Sequence, residues 1–468
     1  MVVKRFLSIP GGMILLTYAM ISQAGQSMGL LEIYDLALKN DARLAAARAS
    51  WQASTEMVPQ GRAALLPNVS VSANTADNRS SRLVSTPLAA VGGAGDRTSN
   101  WNSHGWFATL RQPLFNLESW FNLEHTETLS EQARVQFSAE QQHLIMRVAE
   151  ACFDVLRAQD NLATARAEEK AVKHQMDQTR QRFEVGMIAE TGLHEARAAY
   201  DAARVVRIQG ANDVEVALEN LRTITNVSVP AITRIDKQMP VNAPVPAIAD
   251  EWARTAVSRN LTLEAARQGL KAARAQLRIS QSGHAPALNA VATYRHIHDP
   301  STANAAAGWN GKSNNTVYAL ELSMSIFSGG ATSSRVREAG YRLEELQQTV
   351  DLTIRQIATS ARNLYRTVNT DVDRIKARCQ GIVSARSALT ATENGYEAGA
   401  RNIVDVLNAQ QVLYSAHRDY FNARYDFIIN TLKLKQTVGT LSPEDLRALN
   451  EWMTDNQEEE MAAPVCTG

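Results

Sequence analysis

The chain has 468 residues, and its 48 Lys and Arg balance 48 Asp and Glu, so the formal net charge is zero. That balance lacks the basic excess expected of a nucleic-acid binder. Hydrophobic residues make up 45% of the chain but aromatics only 6%, and the alanine-rich stretches suit long, closely packed helices better than a bulky globular core.

Lys4 and Arg5 open the chain, an apolar stretch runs from Ile9 to Ile21, and Ser22-Gln23-Ala24 supplies small residues at cleavage-site spacing. Residues 1–24 therefore read as a secretory signal peptide. The apolar run falls short of the roughly 20 residues a spanning helix needs. After Ala24 no segment approaches a transmembrane helix, so a membrane location requires a β-barrel, the other structure that satisfies every backbone polar group in lipid.

Residues 25–228 read as a first unit. A helical stretch (30–64) leads to a strand at about 68–76, a polar loop (77–99) and a second strand at about 101–113. A very long helix (117–184) and a helix over 190–226 follow. Pro230, Pro240, Pro244 and Pro246 mark a linker over 229–249. Residues 250–441 repeat the order: a helical stretch (250–283), strands at about 287–298 and 315–327 around a loop (299–314), a long helix (331–397) and a helix over 403–438. Residues 442–468 form a tail whose acidic run, Asp455 to Glu460, reads as disordered.

The two units are similar in detail. A shift of about 219 positions places Leu44 on Leu263, Ala46-Ala47-Arg48 on Ala265-Ala266-Arg267, and Pro67 on Pro286. A shift of about 212 places Phe115 on Phe327, and Phe183 with Gly186 on Tyr396 with Gly399. Ala409, Leu413, Ala416, Tyr420, Ala423, Phe427, Asn430 and Leu434 recur at the period of a left-handed coiled coil. Ala196, Tyr200, Ala203, Arg207, Gly210, Val214, Ala217 and Leu221 do the same in the first unit. At 1.5 Å per residue the long helices span ~100 Å and the short ones ~50 Å, a helical wall rather than a compact domain.

The strands alternate. Tyr318, Leu320, Leu322, Met324 and Ile326 share one face, and Val317, Ala319, Glu321, Ser323 and Ser325 the other. Trp106, Ala108, Leu110 and Leu114, Val69, Val71 and Ala73, and Leu288, Ala290 and Ala292 occupy the apolar face of the other strands. One apolar and one polar face is the pattern of a lipid-facing barrel with a wet lumen. Four strands cannot close such a barrel, since transmembrane barrels start at about eight, so the chain must oligomerise or the sheet must be soluble. Three copies give twelve strands and room for a channel.

Chemistry-bearing constellations are sparse. Cys152, Cys379 and Cys466 are an odd set without CxxC spacing, which argues against a disulfide framework or a zinc site. Cys152 falls on an apolar helix seam, and Cys466 in the tail is expected to be free. His296 and His298 share a strand face beside Asp299, more in keeping with the rim of a barrel, with Tyr294 in its aromatic belt, than with a metal site. No Ser/His/Asp arrangement, phosphate loop or zinc-protease motif occurs, so no enzyme, cofactor or metal is expected.

With these features together, the chain resembles the TolC family of outer-membrane efflux and type I secretion proteins over about 28–450. Gln112-Pro113-Leu114-Phe115 and Ser325-Ile326-Phe327-Ser328-Gly329-Gly330 resemble the family's strand-to-helix exits. Arg182-Phe183-Glu184-Val185-Gly186 and Gly395-Tyr396-Glu397-Ala398-Gly399 resemble its tip turns, and Leu434 to Leu441 its final helix end. The resemblance implies a homotrimer, a twelve-stranded barrel in the bacterial outer membrane and a helical tunnel in the periplasm. It implies partners as well: a periplasmic adaptor, an inner-membrane transporter of ABC or RND type, and outer-membrane lipid.

The resemblance also names a gate. Ile403-Val404-Asp405-Val406-Leu407-Asn408 matches the family's entrance motif, in which two acidic residues one turn apart line the constriction. Here Asp405 is the first and Asn408 replaces the second. Tyr396 and Arg401 match residues that hold the entrance shut. Their acidic partner is expected in Ala189-Glu190-Thr191-Gly192-Leu193, but Gly192 stands at the acidic position, which leaves Thr191, Glu190 or Glu195 to substitute. Gly186 and Gly399 are expected at the tip turns. The expected function is a passive exit duct for type I protein secretion. A multidrug efflux duct is the first alternative, and a trimeric coiled-coil scaffold or adhesin the second.

Overall fold

In the computed structural model, residues 27–83, 96–236, 238–302 and 310–454 are described. The expected signal peptide, the acidic run 455–460 and Cys466 lie outside them. Three short helices, α1 (Leu30–Asn40), α2 (Ala42–Thr55) and α3 (Met57–Ala63), precede strands β1 (Asn68–Leu83) and β2 (Asp96–Phe115). Helices α4 (Leu117–Glu184) and α5 (Glu190–Thr225) then form a hairpin. A short strand β3 (Arg234–Ile235) and helices α6 (Ala249–Arg259) and α7 (Leu261–Ser282) lead to strands β4 (Ala287–His298) and β5 (Lys312–Ser323). A second hairpin, α8 (Ala331–Glu397) and α9 (Ile403–Val438), is followed by α10 (Pro443–Asn450) and strand β6 (Met453–Thr454).

Local chemistry sets the helix ends. Asn116 caps α4 by accepting from the Ser119 N–H at 3.1 Å, and Asn260 caps α7 through the Leu263 N–H at 3.0 Å. α4 has 68 residues, so it spans ~100 Å. Along α9, Leu413, Tyr420, Ala423, Phe427 and Leu434 of the 3.5-residue seam are buried. Helices α4 and α5 pack closely at Gly210, where an added Cβ would make ordinary contact with the Leu162 Cα at 3.5 Å.

The main core lies partway along the long helices. Leu144, Val148, Cys152, Phe153 and Leu156 of α4 meet Leu30 and Ile33 of α1, Leu221 of α5, Ile382 of α8, Leu434 of α9 and Leu446 of α10. Each Leu or Ile fully buried there contributes ~1.5–3 kcal/mol. Asp41, 5% exposed, caps α2 through the Leu44 N–H at 2.6 Å and takes both amino groups of Arg147 on α4 at 2.8 and 3.0 Å. The buried Tyr425 hydroxyl donates to Asp160 at 2.6 Å.

Several expectations are corrected. The loop read over 77–99 is strand at both ends, because β1 and β2 pair as far as Leu83 and Asp96. Their Ser, Asn and Arg side chains carry no apolar alternation, yet the backbone ladder needs none. β5 begins at Lys312 and ends at Ser323, short of the expected 327. Leu114 is the extra residue of a bulge, so Phe115 stands opposite Leu288. The part of the tail before its acidic run, for which the sequence reading named no element, carries α10 and β6, and leaves the expectation for 455–460 untouched: Ser442 is the N-cap of α10 with Pro443 in its first turn, Leu446 is buried, and β6 pairs with β3 out of the linker. Cys379 is disulfide-bonded, since an odd count still allows one bridge. Cys152 is a free, buried thiol whose pKa burial pushes well up.

Candidate functional site

Two regions bear on function: the faces of the sheet and the far ends of the helical hairpins. The four strands are antiparallel in the order β1-β2-β4-β5, so β1 and β5 are the edges. The register stacks the apolar positions in rows. Val69 stands opposite Leu110, Leu110 opposite Ala292, and Ala292 opposite Tyr318. This face is uncovered, with Leu320 and Leu322 each 71% exposed. The other face is polar and carries the Arg111–Glu321 ion pair at 3.1 Å. Among the described residues no helix is long and apolar enough to cross a membrane.

Aromatic groups gather toward the far end of the apolar face. Trp106 packs on Tyr294 at 5.0 Å between ring centroids and on His296 at 6.4 Å, and His104 lies 5.0 Å from His298. The His296 ring bonds the Asn314 side chain at 2.6 Å. Among the described residues no three metal-ligating side chains converge.

At the opposite end of the molecule both hairpins turn alike. Gly186 and Gly399 follow α4 and α8 with φ of 77° and 74°, the left-handed region that glycine enters without strain. The Gly186 N–H donates to the Phe183 carbonyl and the Met187 N–H to the Arg182 carbonyl, both at 2.8 Å. The Gly399 N–H donates to Tyr396 at 3.0 Å and the Ala400 N–H to Gly395 at 2.8 Å. Each pair closes a Schellman motif, so the two turns have one geometry.

Asp405 follows the second turn. Asn402 caps α9 by accepting from the Asp405 N–H at 2.8 Å, and the Asp405 carboxylate accepts from the Asn402 N–H at 3.3 Å. This reciprocal cap holds the carboxylate at a helix N-terminus, where the peptide dipoles favour negative charge. Ile403 and Leu407 pack against Val172, Met176, Ala196 and Ala203, clamping the first turn of α9 to the other hairpin. Asp405 is half-buried, and Asn408, one turn on, is exposed.

The expected locking residues make the following contacts within one chain. Arg401 pairs within its own chain, with Asp405 at 3.8 Å. Its stem leans on Gly395, where an added Cβ would come within 2.9 Å of the Arg401 Cγ. Tyr396 lies under the guanidinium of Arg182, 4.8 Å from the ring centroid, and its buried hydroxyl has no hydrogen-bond partner among the described residues. Glu190 pairs with His194 at 3.5 Å, and Thr191 is exposed. Gly192 faces Ile403, whose Cγ2 would lie in ordinary contact, 3.5 Å from an added Cβ, so a Cβ is accommodated there. The sequence reading placed Arg182 in a tip motif but missed its contact, because nothing in spacing brings α4 and α8 together at that point.

The family model described as outer membrane efflux protein matches residues 33–227 and 252–440. The outer membrane protein TolC of Vibrio cholerae is 34% identical, over 92% of this chain and 95% of its own length. The proteases secretion protein PrtF of Dickeya chrysanthemi is 27% identical, over 94% of each. Among solved structures, CusC superposes with a TM-score of 0.75 at 15% identity, covering 89% of this chain and 95% of that one. With the family model matching most of the sequence, the chain belongs to the outer membrane efflux protein family.

Proposed function

We propose that three copies of the chain close a twelve-stranded barrel in the outer membrane and continue it as a helical tunnel into the periplasm, forming a passive exit duct. The observation that carries this reading is a four-stranded sheet with two edges and an uncovered apolar face, joined directly to helices of ~100 Å. An apolar face that large on a soluble chain would aggregate, whereas lipid covers it without cost. A scaffold or adhesin gives that face no role.

The exported material is protein, driven through the duct by an inner-membrane ABC transporter with a periplasmic adaptor at the helical tip. PrtF, named for protease secretion, supports this branch. The word efflux in the family's description supports the second reading, an efflux duct, which would work with an RND-type pump on drugs. At the tip, three Asp405 carboxylates converge on the axis as the constriction, with Asn408 adding a neutral ring beyond them. Tyr396 and Arg401 restrain the entrance, and Gly186 and Gly399 shape the turns. Thr191 and Gly192 face the restraint without supplying a carboxylate.

Purified protein in planar lipid bilayers tests the duct: steady single-channel current is expected, and its absence from folded, inserted protein contradicts it. Deleting the chain in its host separates the branches. Loss of a protein from the medium with drug resistance unchanged favours secretion, and the converse favours efflux.

A further inference from the structure

In the sequence His296 and His298 stand together on one strand beside Asp299. The register of the sheet adds a histidine that spacing could not supply. His104 of β2 stands directly opposite His298 of β4, with ring centroids 5.0 Å apart and ring planes 54° apart. Trp106 stands opposite His296 in the next row on the same face, and Leu110 opposite Ala292 two rows further in.

The place of this pair in the fold is specific. In the order β1-β2-β4-β5, the β2–β4 ladder is what joins the hairpin of the first repeat to the hairpin of the second. That ladder runs from Phe115 opposite Leu288 out to His104 opposite His298, where β4 ends. The histidine pair is therefore its last rung, at the end of the sheet away from the helices. One residue in, the strands approach closely at Gly105, where an added Cβ would lie 2.7 Å from the His296 carbonyl oxygen. A side chain there would push the two backbones apart, so glycine sets the separation from which both rings project.

We propose that His104 and His298 chelate a divalent transition-metal ion that clamps β2 to β4. The site is built within one chain and does not depend on the barrel reading. Spacing is the first support. A metal about 2.1 Å from an imidazole nitrogen lies about 3.2 Å from that ring's centre, so two rings about 90–110° apart around it have centres about 4.5–5.2 Å apart. The observed 5.0 Å falls inside that range.

The donor atoms are the second. The His298 Nδ1 is buried with no hydrogen-bond partner among the described residues, whereas the His296 Nδ1 is taken by the Asn314 side chain at 2.6 Å. His104 is exposed, so the ion has a path from solvent. No third metal-ligating side chain joins the pair among the described residues, so water fills the remaining positions. The charges nearby oppose each other. Asp299, held by the Ser301 N–H at 3.0 Å and its hydroxyl at 2.7 Å, follows His298, and Lys312 stands opposite His298 on β5. The imidazoles then decide the class of ion: Zn²⁺, Ni²⁺ or Cu²⁺, not the oxygen-seeking Mg²⁺ or Ca²⁺. An ion that binds the paired strands and not the separated ones stabilises the junction by mass action.

Calorimetric titration of tag-free protein in detergent tests the site, with Zn²⁺ as the probe. Zn²⁺ should bind in the presence of excess Mg²⁺, and should raise the temperature at which the strand signal in circular dichroism is lost. His104→Gln and His298→Gln should each remove both effects. His296→Gln should keep them. The two histidine variants stand on different strands, so one that fails to fold leaves the other as the test. Zn²⁺ binding and stabilisation retained in a folded His104→Gln or His298→Gln protein overturn the proposal. Their loss in a folded His296→Gln protein overturns the assignment to this pair. Parent protein that conducts in bilayers but binds no Zn²⁺ overturns the site and leaves the duct standing.

Discussion

The Arg401 guanidinium stands 3.8 Å from the Asp405 carboxylate, one turn away within the same chain. Each of the three proposed carboxylates at the constriction therefore has a cation beside it. Multivalent cations entering from the periplasmic side should block current in bilayers, and Asp405→Asn should abolish most of that block with the trimer intact. Arg401→Ser should strengthen the block. Arg401 is exposed and Asp405 only half-buried, so the gain is roughly two- to five-fold, in keeping with the modest energy of solvent-accessible pairs. Block unchanged in Asp405→Asn would place the constriction elsewhere.

Arg182 over Tyr396 ties the end of α4 to the end of α8. A cation–π contact at an exposed site is worth ~0.5–1 kcal/mol. Arg182→Ala should raise the open probability of single channels by about two- to five-fold, and Arg182→Lys should restore part of the restraint. Gly192→Asp, whose Cβ the structure accommodates, should act in the opposite sense by supplying a carboxylate at the tip. Recordings in which Arg182→Ala behaves as the parent would remove that contact from the gate.

The two faces of the sheet should respond differently to charge. Leu322→Arg should impair barrel assembly by ~2–4 kcal/mol if it lies near the membrane midplane. Glu321→Gln breaks an exposed ion pair with Arg111 and should cost no more than ~1 kcal/mol. Heat-dissociation curves of the assembled protein measure both. Equal tolerance would mean that the faces are reversed or that the sheet is not in lipid.

Much of the helical architecture was legible because its boundaries are written in local chemistry. Asn116 and Asn402 accept from the N–H groups three residues on, and Gly186 and Gly399 supply the left-handed turns. The outer halves of β1 and β2 were hidden because Ser, Asn and Arg read as loop, although backbone pairing alone extends those strands. α10 carried a readable start at Ser442-Pro443 but sat in a stretch judged by its acidic end. The proposed gate residues were suggested by the family motif alone. Arg182 against Tyr396 and Arg401 against Asp405 depend on how the hairpins pack and which rotamers they select, and no periodicity encodes that.

Asp41 links the capping of α2 to the long helix α4. Burial alone would raise its pKa, but the Arg147 guanidinium and the Leu44 N–H outweigh that and hold it below the usual carboxylate value. A depressed carboxylate contributes stability that is present above its unfolded pKa and lost as pH falls through the lower folded one. Asp41→Asn should therefore cost about 3 kcal/mol near neutral pH, the low end for a broken buried pair, because Glu140 still bonds Arg147 at 3.2 Å. Thermal unfolding should show the gap between parent and variant narrowing below about pH 4. A gap that stays constant down to pH 3 would detach this contact from acid stability.

The central claim is that the sheet of one chain is a third of a membrane barrel, and mass measurement in solution tests it most directly. Protein extracted from membranes in mild detergent should sediment with a protein mass near three times the mass of one chain, which is 51.3 kDa for the full sequence. A single folded chain that stays monodisperse in water without detergent would contradict it.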